Sequence, residues 1–136
     1  MSTPAKPVPY PDELSDAWYE ATAAGRLLIQ RCGACERRQF YPRARCVHCH
    51  ADALEWIEAS GRGRLHSFST VHYTPNAEFS DDVPYVFALV DLDEGVRVST
   101  RIAGATEEEL ACDMPVRVVF EAQGELTLPL FEPEDR

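Results

Sequence analysis

Residues 31–50 decide the fold of this protein: Arg-Cys-Gly-Ala-Cys-Glu-Arg-Arg-Gln-Phe-Tyr-Pro-Arg-Ala-Arg-Cys-Val-His-Cys-His. Their four cysteines form two Cys-x-x-Cys pairs, separated by ten residues. Tetrahedral zinc takes four thiolates at about 2.3 Å, and two short loops of this kind supply that geometry. A ribbon this small buries too little apolar surface to fold without the ion. We therefore predict one structural zinc ion, rather than a redox dithiol or an iron centre, with these ligands: Cys32, Cys35, Cys46 and Cys49.

Both cysteine pairs are complete, so no coordination position remains for a catalytic water. His48 and His50 are conceivable substitute ligands. His48 lies inside the second pair and is expected to point outward, and His50 is a weaker alternative. The metal site by itself therefore predicts structure and leaves function open.

The composition describes a globular chain. It has 136 residues, of which 45% are hydrophobic and 26% charged,. No apolar run reaches the roughly 20 residues needed to span a bilayer, and the N-terminus lacks the apolar core of a signal peptide. We expect a cytoplasmic protein, where reduced thiols favour metal binding over disulfides.

The charge is distributed unevenly along the chain. The formal net charge is -10, which disfavours general attraction to nucleic acid or an anionic membrane,. Residues 26–50 are basic, however, because they carry six arginines and Glu36 as the single acid. These arginines either neutralise the tetrathiolate metal site or contact an anion or acidic partner. They are Arg26, Arg31, Arg37, Arg38, Arg43 and Arg45.

The chain divides into four predicted segments. Four prolines make residues 1–11 an extended arm, and an N-terminal helix is expected over residues 12–25. Its apolar stripe repeats with helical spacing, and Gly25 is a natural stop. The zinc ribbon occupies residues 26–52 and a β domain residues 53–136. The predicted stripe is Leu14, Ala17, Trp18 and Ala21.

The β domain shows five segments. The first, from Trp56 to Tyr73, is expected to bend at the glycines of 61–63; the others cover 85–92, 96–103, 116–122 and 126–130. A capping box at Thr106 predicts one helical turn between the third and fourth segments. This order is that of a five-stranded OB-fold barrel, so we predict a mainly β protein with an N-terminal helix.

Several stretches together carry a family resemblance. They are Gly25-Arg-Leu-Leu-Ile-Gln-Arg-Cys32, the four-cysteine ribbon with Phe40-Tyr-Pro-Arg43, Ser60-Gly-Arg-Gly63, Pro84-Tyr-Val-Phe-Ala-Leu-Val-Asp-Leu-Asp-Glu-Gly95 and Met114-Pro-Val-Arg-Val-Val-Phe-Glu121. Over nearly its whole length the chain resembles the stand-alone zinc-ribbon/OB-fold proteins long grouped as a domain of unknown function. Members of that family accompany thiolases, thiolase-like aldolases and MaoC-type enoyl-CoA hydratases.

The resemblance implies a non-catalytic subunit that stabilises an acyl-CoA enzyme and helps bind the CoA thioester, with steroid or lipid side-chain degradation as the expected setting. It also implies a rubredoxin-like ribbon with the four cysteines as metal ligands. Partner-binding candidates are Trp18 and Tyr19 of the helix, together with Leu27, Phe40 and Tyr41, which are expected to be exposed. The helix stripe could equally pack on the chain's own ribbon or barrel.

Arg62 and Arg64, beside the glycine corner, are candidate contacts for CoA phosphates, because arginine donates paired hydrogen bonds to phosphate. Ion pairs with nearby acids are the competing interpretation. The loop 74–84, with Phe79 at its centre, lies where OB-folds often contact ligands.

No complete catalytic set appears in the sequence. His66 and His72 share a strand face but lack a predicted nucleophile and orienting carboxylate, and Cys112 has no adjacent base. The chain is therefore not expected to be an enzyme. The alternative function is a nucleic-acid-binding zinc-ribbon/OB-fold module, which requires a basic groove lined by stacking aromatics.

Overall fold

The structure is a computed structural model that describes residues 12–134. The predicted arm, residues 1–11, lies outside them. Within these described residues, one α-helix, α1, spans Asp16–Ala23. Eight strands follow it in the same part of the chain: β1 Leu28–Cys32, β2 Arg38–Gln39, β3 Leu54–Glu58, β4 Arg62–Val71, β5 Tyr85–Leu92, β6 Arg97–Ile102, β7 Pro115–Gln123 and β8 Leu126–Pro133. Two short 3₁₀ turns span Ala77–Phe79 and Glu107–Glu109.

The helix is shorter than the predicted 12–25. Residues 13–15 instead form a turn before the helix. The backbone N–H groups of Ser15 and Asp16 bond to the Asp12 carbonyl at 3.1 and 2.9 Å, and Asp12 Oδ1 accepts further bonds from the Ser15 backbone N–H at 2.9 Å and the Ser15 hydroxyl at 3.0 Å. Asp and Ser compete with helical bonding in this way. The predicted stop is present, because Gly25 has a φ of 77° and Arg26 N–H bonds back to the Ala21 carbonyl at 2.8 Å,.

The ribbon is a three-stranded antiparallel sheet in the order β2-β1-β3. The prediction for β3 was wrong: this stretch was assigned to the first barrel strand, but Leu54–Glu58 pairs with β1 along its whole length, from Leu28 opposite Glu58 to Cys32 opposite Leu54. Gly61 therefore lies between the two sheets, and Gly63 already belongs to the barrel strand β4. Strand propensity alone does not specify a pairing partner.

The five remaining strands close a barrel in the order β4-β5-β6-β8-β7. Neighbours pair in antiparallel fashion except β6 and β8, which are parallel and meet at Ile102 opposite Phe131. This confirms the predicted OB-fold barrel. The predicted hairpin at 93–95 is present between β5 and β6, with Gly95 at φ 89°.

One apolar core joins the helix, ribbon and barrel. Within the barrel it is centred on buried side chains such as Leu65, Val90, Val116 and Phe131. The helix contributes Trp18 and Ala21, which are 8% and 1% exposed, and Trp18 Nε1–H donates to the Leu28 carbonyl at 3.0 Å. The helix stripe is therefore buried against the chain itself. Leu14, at its outer end, stays 38% exposed.

Two polar contacts connect the ribbon to the barrel. The Tyr41 hydroxyl lies 2.6 Å from Ser99 Oγ on β6, and Arg38 Nη1 donates to the Glu94 carbonyl at 3.1 Å in the β5–β6 turn. Because both contacts end on the same hairpin, they position the metal-binding loops beside it.

Gly63, the second residue of β4, offers a direct test of the close packing of β4 on β5. A Cβ at this position would lie 2.4 Å from the Asp91 carbonyl oxygen and 3.0 Å from the Leu92 Cα. Gly63→Ala is expected to lower the free energy of unfolding by about 1–3 kcal/mol, because backbone cannot yield as a flexible side chain does. Chemical denaturation followed by circular dichroism measures this.

Gly33→Ala is the matched control, since its Cβ would meet the Ala53 carbonyl oxygen at an ordinary 3.4 Å. Equal losses for the two variants would contradict the assignment of close packing to Gly63.

Candidate metal centre and the surrounding surface

The four predicted ligands converge on one point. The sulfur atoms of Cys32, Cys35, Cys46 and Cys49 all lie within 4.8 Å of one another. The Cys32–Cys49 and Cys35–Cys46 sulfur pairs are each separated by 3.6 Å. A zinc tetrathiolate with bonds of about 2.3 Å has sulfur–sulfur edges of about 3.8 Å. The cluster thus fits one tetrahedral zinc ion.

The two cysteine loops repeat one backbone geometry. The N–H of Glu36 bonds to the Cys32 carbonyl at 2.8 Å, and the N–H of His50 bonds to the Cys46 carbonyl at 2.9 Å. Glu36 and His50, each directly after the second cysteine of its pair, both have a φ of 65°. These residues hold a left-handed conformation that normally favours glycine. Each loop is therefore a pre-shaped half of the metal site.

Backbone N–H groups support the thiolates. Cys32 Sγ accepts from Ala34 and Cys35 at 3.4 and 3.5 Å, and Cys46 Sγ accepts from His48 at 3.3 Å. The Cys35 N–H contributes most to lowering the pKa of Cys32. Burial raises the pKa of Cys46, but hydrogen bonds from the N–H groups of Cys49 and His48 outweigh it, and the pKa falls to about 6,.

Cys49 shows the opposite balance. The Ala51 N–H lowers its pKa, but desolvation and the three neighbouring thiols raise it to about 11. The pKa values of Cys32 and Cys46 thus lie below the ordinary thiol value, and that of Cys49 lies above it. Four thiolates at this spacing repel one another, and a divalent cation relieves that repulsion. The donor set and its N–H support match a rubredoxin-like zinc ribbon that binds one ion.

The two histidines beside the ribbon are not in the ligand cluster. Among the described residues, the cluster consists of the four cysteines. His48 is exposed, with Nε2 3.4 Å from the Arg38 carbonyl oxygen, and His50 is exposed after its loop. Cys112 is also exposed and lies outside the cluster.

The five candidate partner-binding residues have different environments. Trp18 contacts Tyr19 and Phe40 edge-to-face, with ring centroids 5.0 and 6.1 Å apart, and Phe40 contacts Tyr41 at 4.7 Å. The expectation that Leu27 is exposed was wrong, because it is 2% exposed in the core. Tyr41, at 51%, presents the largest exposed fraction of the group. The structure brings four of the five together as one aromatic cluster.

The two candidate CoA arginines already have partners. Arg62 Nε lies 3.2 Å from Glu134 Oε1, and Arg64 Nη1 donates to the Asp113 carbonyl at 2.8 Å. The competing ion-pair interpretation therefore describes Arg62, while Arg64 is bound to backbone. Both side chains are exposed.

Sequence reasoning missed two arginine clusters on the barrel. Arg97 makes a two-bond pair with Asp91 at 2.7 and 3.2 Å, which lowers the pKa of Asp91, and His66 Nδ1 lies 3.5 Å from the same carboxylate. Asp91 and Arg97 are paired across the β5–β6 hairpin. A prediction of the strand register could therefore have found this contact.

Arg101 forms the second cluster. Its guanidinium lies 4.2 Å from the Tyr85 ring centroid and pairs with Asp82 at 3.1 Å,. Asp82 belongs to the 74–84 loop, so this contact ties that loop to the barrel. No spacing rule in the sequence links positions 82 and 101.

Comparison with known proteins places this fold and metal site in a family. A family model described as "ChsH2, rubredoxin-like zinc ribbon domain" matches residues 20–55, and one described as "ChsH2, C-terminal OB-fold domain" matches residues 56–121. The chain is 35% identical over 104 residues to a DUF35 domain-containing scaffold protein of Methanothermobacter thermautotrophicus, covering 76% of this chain and 77% of that protein. The chain belongs to the DUF35 family of ChsH2-type zinc-ribbon/OB-fold proteins.

Two further relatives carry enzyme names. A solved chain of the "Ltp2-ChsH2(DUF35) aldolase" superposes with a TM-score of 0.81 and 36% identity, covering 93% of this chain and 98% of that one. A "Probable enoyl-CoA hydratase alpha subunit" of Thermomonospora curvata is 40% identical over 117 residues, or 85% of this chain. This chain spans only 36% of that hydratase subunit. Within residues 12–134, no helix is long and apolar enough to cross a membrane.

Removing one ligand should release the ion. We expect Cys46→Ser to reduce bound zinc from one ion per chain to near zero and to lower the melting temperature, because three thiolates leave a weak, open site. Elemental analysis and thermal unfolding measure both effects. Cys112→Ser is the matched control, and loss of zinc from that variant instead would contradict the assigned ligand set.

Replacing His50, whose backbone is in the left-handed conformation, by glycine should stabilise the ribbon. His50→Gly is expected to raise the free energy of unfolding of the zinc-loaded protein by about 0.5–1 kcal/mol, since glycine adopts a φ of 65° without the Cβ clash,. His48→Gly, at a position whose φ is not positive, should destabilise by a similar amount,. A denaturant titration measures both free energies of unfolding. A less stable His50→Gly and a more stable His48→Gly would contradict this explanation of the loop.

Proposed function

We propose that this protein is a non-catalytic accessory subunit of an acyl-CoA-processing complex. The observation that carries the proposal is the superposition on 98% of a chain of the Ltp2-ChsH2(DUF35) aldolase. The match to an enoyl-CoA hydratase alpha subunit supports the same class of partner. The partner is thus an aldolase or hydratase, or a thiolase as the family resemblance implies. The setting that we propose is steroid or lipid side-chain degradation, as the family resemblance implies, in the cytoplasm, where cysteine pairs stay reduced and bind metal.

The site chemistry supports a non-catalytic role. Four thiolates fill the coordination of a zinc ion, so the ion holds the ribbon in shape and offers no position to a substrate. Among residues 12–134, His66 is engaged with Asp91 and Arg97 and has no nucleophile beside it. The chemistry therefore belongs to the partner.

The aromatic cluster supports a docking surface on the ribbon side. We propose that Tyr41, Phe40 and Tyr19 contact the partner at the surface, while Trp18 and Leu27 support them from the core. Tyr41 suits this role because the residue is 51% exposed although its hydroxyl is held by Ser99. Aromatic side chains held in this way lose little conformational entropy on binding.

Arg62 and Arg64 stay candidate contacts for the CoA phosphates. Their exposure supports this, but each would have to exchange a present partner, Glu134 or the Asp113 carbonyl, for a phosphate. The nucleic-acid-binding alternative is less well supported, because the net charge of -10 opposes a polyanion,.

Purification of the tagged protein from its native cells should test the accessory role. Mass spectrometry of the bound fraction is expected to identify a CoA-thioester enzyme in fixed ratio to this chain. Recovery without any such enzyme would contradict the proposal, and so would turnover of acyl-CoA substrates by this chain alone.

Tyr41→Ala then tests the docking surface. We expect it to weaken the isolated complex by about tenfold or more, since a buried tyrosine anchor typically contributes at least that much. Tyr73→Ala is the matched control, because Tyr73 is 79% exposed and lies on the barrel side, away from the ribbon. Surface plasmon resonance measures the affinity of each variant for the partner. Equal affinities of the Tyr41→Ala and Tyr73→Ala variants would show that Tyr41 is not in the interface.

A further inference from the structure

A groove of about 280 Å³ lies on the outside of the barrel, where β6 and β8 separate. Within residues 12–134 these two strands pair at one position only, Ile102 opposite Phe131. Before that pair, Ser99 and Thr100 of β6 form one wall, and residues 128–130 of β8 form the other. The groove is therefore a slot between two strands.

Two aromatic side chains of β5 line the same groove. Side chains alternate along a strand, so Val86 and Ala88 are buried while Tyr85 and Phe87 point outward,. Phe87 is 41% exposed and lines the groove together with the apolar residues 128–130. The described residues thus leave an aromatic and aliphatic strip accessible on the barrel surface.

The unpaired charge at this groove is negative. Arg101 already pairs with Asp82 at 3.1 Å, and its guanidinium lies 4.2 Å from the Tyr85 ring centroid. Glu121 of β7, in contrast, is exposed and has no ion pair in the part of the chain that the structure describes. An occupant of the groove would therefore be favoured by a basic residue.

The first residues of the sequence have the composition that such a groove recognises. They contain Pro4-Ala5-Lys6-Pro7, a Pro-x-x-Pro motif, and two further prolines follow at positions 9 and 11. Proline favours polyproline II, which has three residues per turn, so Pro4 and Pro7 would fall on one face. Proteins bind such segments in grooves lined by aromatic side chains. Lys6 supplies the basic residue that would complement Glu121.

The helix that follows this motif lies beside both walls of the groove. α1 packs on β8, which forms one wall. On the other side, Trp18 of α1 contacts Phe40, and the adjacent Tyr41 lies 2.6 Å from Ser99 Oγ at the β6 wall. The described chain therefore begins close to the groove.

The length of the intervening chain suits an intramolecular contact. From Pro7 to Asp12 the chain advances five residues, which corresponds to about 15 Å in polyproline II. A short tether gives an effective concentration in the millimolar range, so a contact with a dissociation constant of about 1 mM is still substantially occupied.

We propose that this groove binds the chain's own Pro4-Ala-Lys-Pro7 segment. The two prolines lie against Phe87 and the apolar residues of β8, and Lys6 lies near Glu121. The barrel thus carries a receptor for polyproline II that fastens the segment before α1 to β5, β7 and β8. The contact uses residues of this chain alone, so it does not rest on the proposed acyl-CoA complex.

Paramagnetic relaxation in the zinc-loaded full chain tests this contact. A nitroxide is attached at Thr3→Cys in a Cys112→Ser background, in which the zinc ion protects the four ligand cysteines. We expect the amide signals of Phe87, Ser99 and Leu128 to lose most of their intensity, because the bound segment holds the nitroxide at the groove.

Two substitutions should release the segment. Phe87→Ala removes an exposed aromatic contact, should weaken the intramolecular binding by about tenfold, and should restore the signals of Ser99 and Leu128. Lys6→Glu should restore them in part, since it places like charges together at Glu121. The matched control for Phe87→Ala is Tyr73→Ala, which removes an exposed aromatic that does not line the groove and should leave the loss of signal unchanged.

Each outcome decides for or against the contact. Full signal intensity in the nitroxide-labelled parent would overturn the proposal, and so would equal recovery in Phe87→Ala and Tyr73→Ala. A mixture of isotope-labelled chains without nitroxide and unlabelled chains with it identifies the source of the segment. Unchanged signals in that mixture support the intramolecular contact, whereas loss of signal would assign the segment to a second copy and overturn it. Recovery of a CoA-thioester enzyme with the tagged protein bears on the accessory role alone, so the two proposals fail separately.

Discussion

The mutual repulsion of four closely spaced cysteine sulfurs is the constraint on which the ribbon depends. Two loops bring them within 4.8 Å, a distance that thiolates tolerate only around a cation,. The loops achieve this with backbone rather than side-chain chemistry, through N–H bonds to sulfur and a left-handed residue after each pair. Loss of the ion removes the constraint that holds the two cysteine loops together, while Leu28 and Ile29 of β1 remain part of the shared apolar core.

A few side-chain contacts connect the metal-binding ribbon to the helix and the barrel. Phe40 and Tyr41, between the two cysteine pairs, join Trp18 of the helix on one side and Ser99 of the barrel on the other. Helix, ribbon and barrel therefore share one apolar core. The surface that this arrangement presents is rigid, aromatic and basic, on a molecule that is otherwise acidic.

A structural role for the metal site, with a contact surface on the barrel, is consistent with the family to which the chain belongs. A saturated metal site holds a shape and does not turn over substrate. The barrel contributes an exposed aromatic and arginine surface whose side chains already have defined partners, such as Arg101 with Tyr85 and Asp82. Both features suit a subunit that arranges another protein or a ligand.

The sequence alone determined the local features of this protein. Cysteine spacing predicted the ligands, Gly25 the helix end and the 93–95 turn its hairpin, because these depend on residues close together in the chain. Only the tertiary structure decided that Leu54–Glu58 pairs with β1 rather than extending a barrel strand, that Leu27 is buried, and that Arg38, Arg43 and Arg97 border one cleft. The physical reason is that strand propensity and hydrophobicity do not name a partner, whereas register and packing between distant segments do.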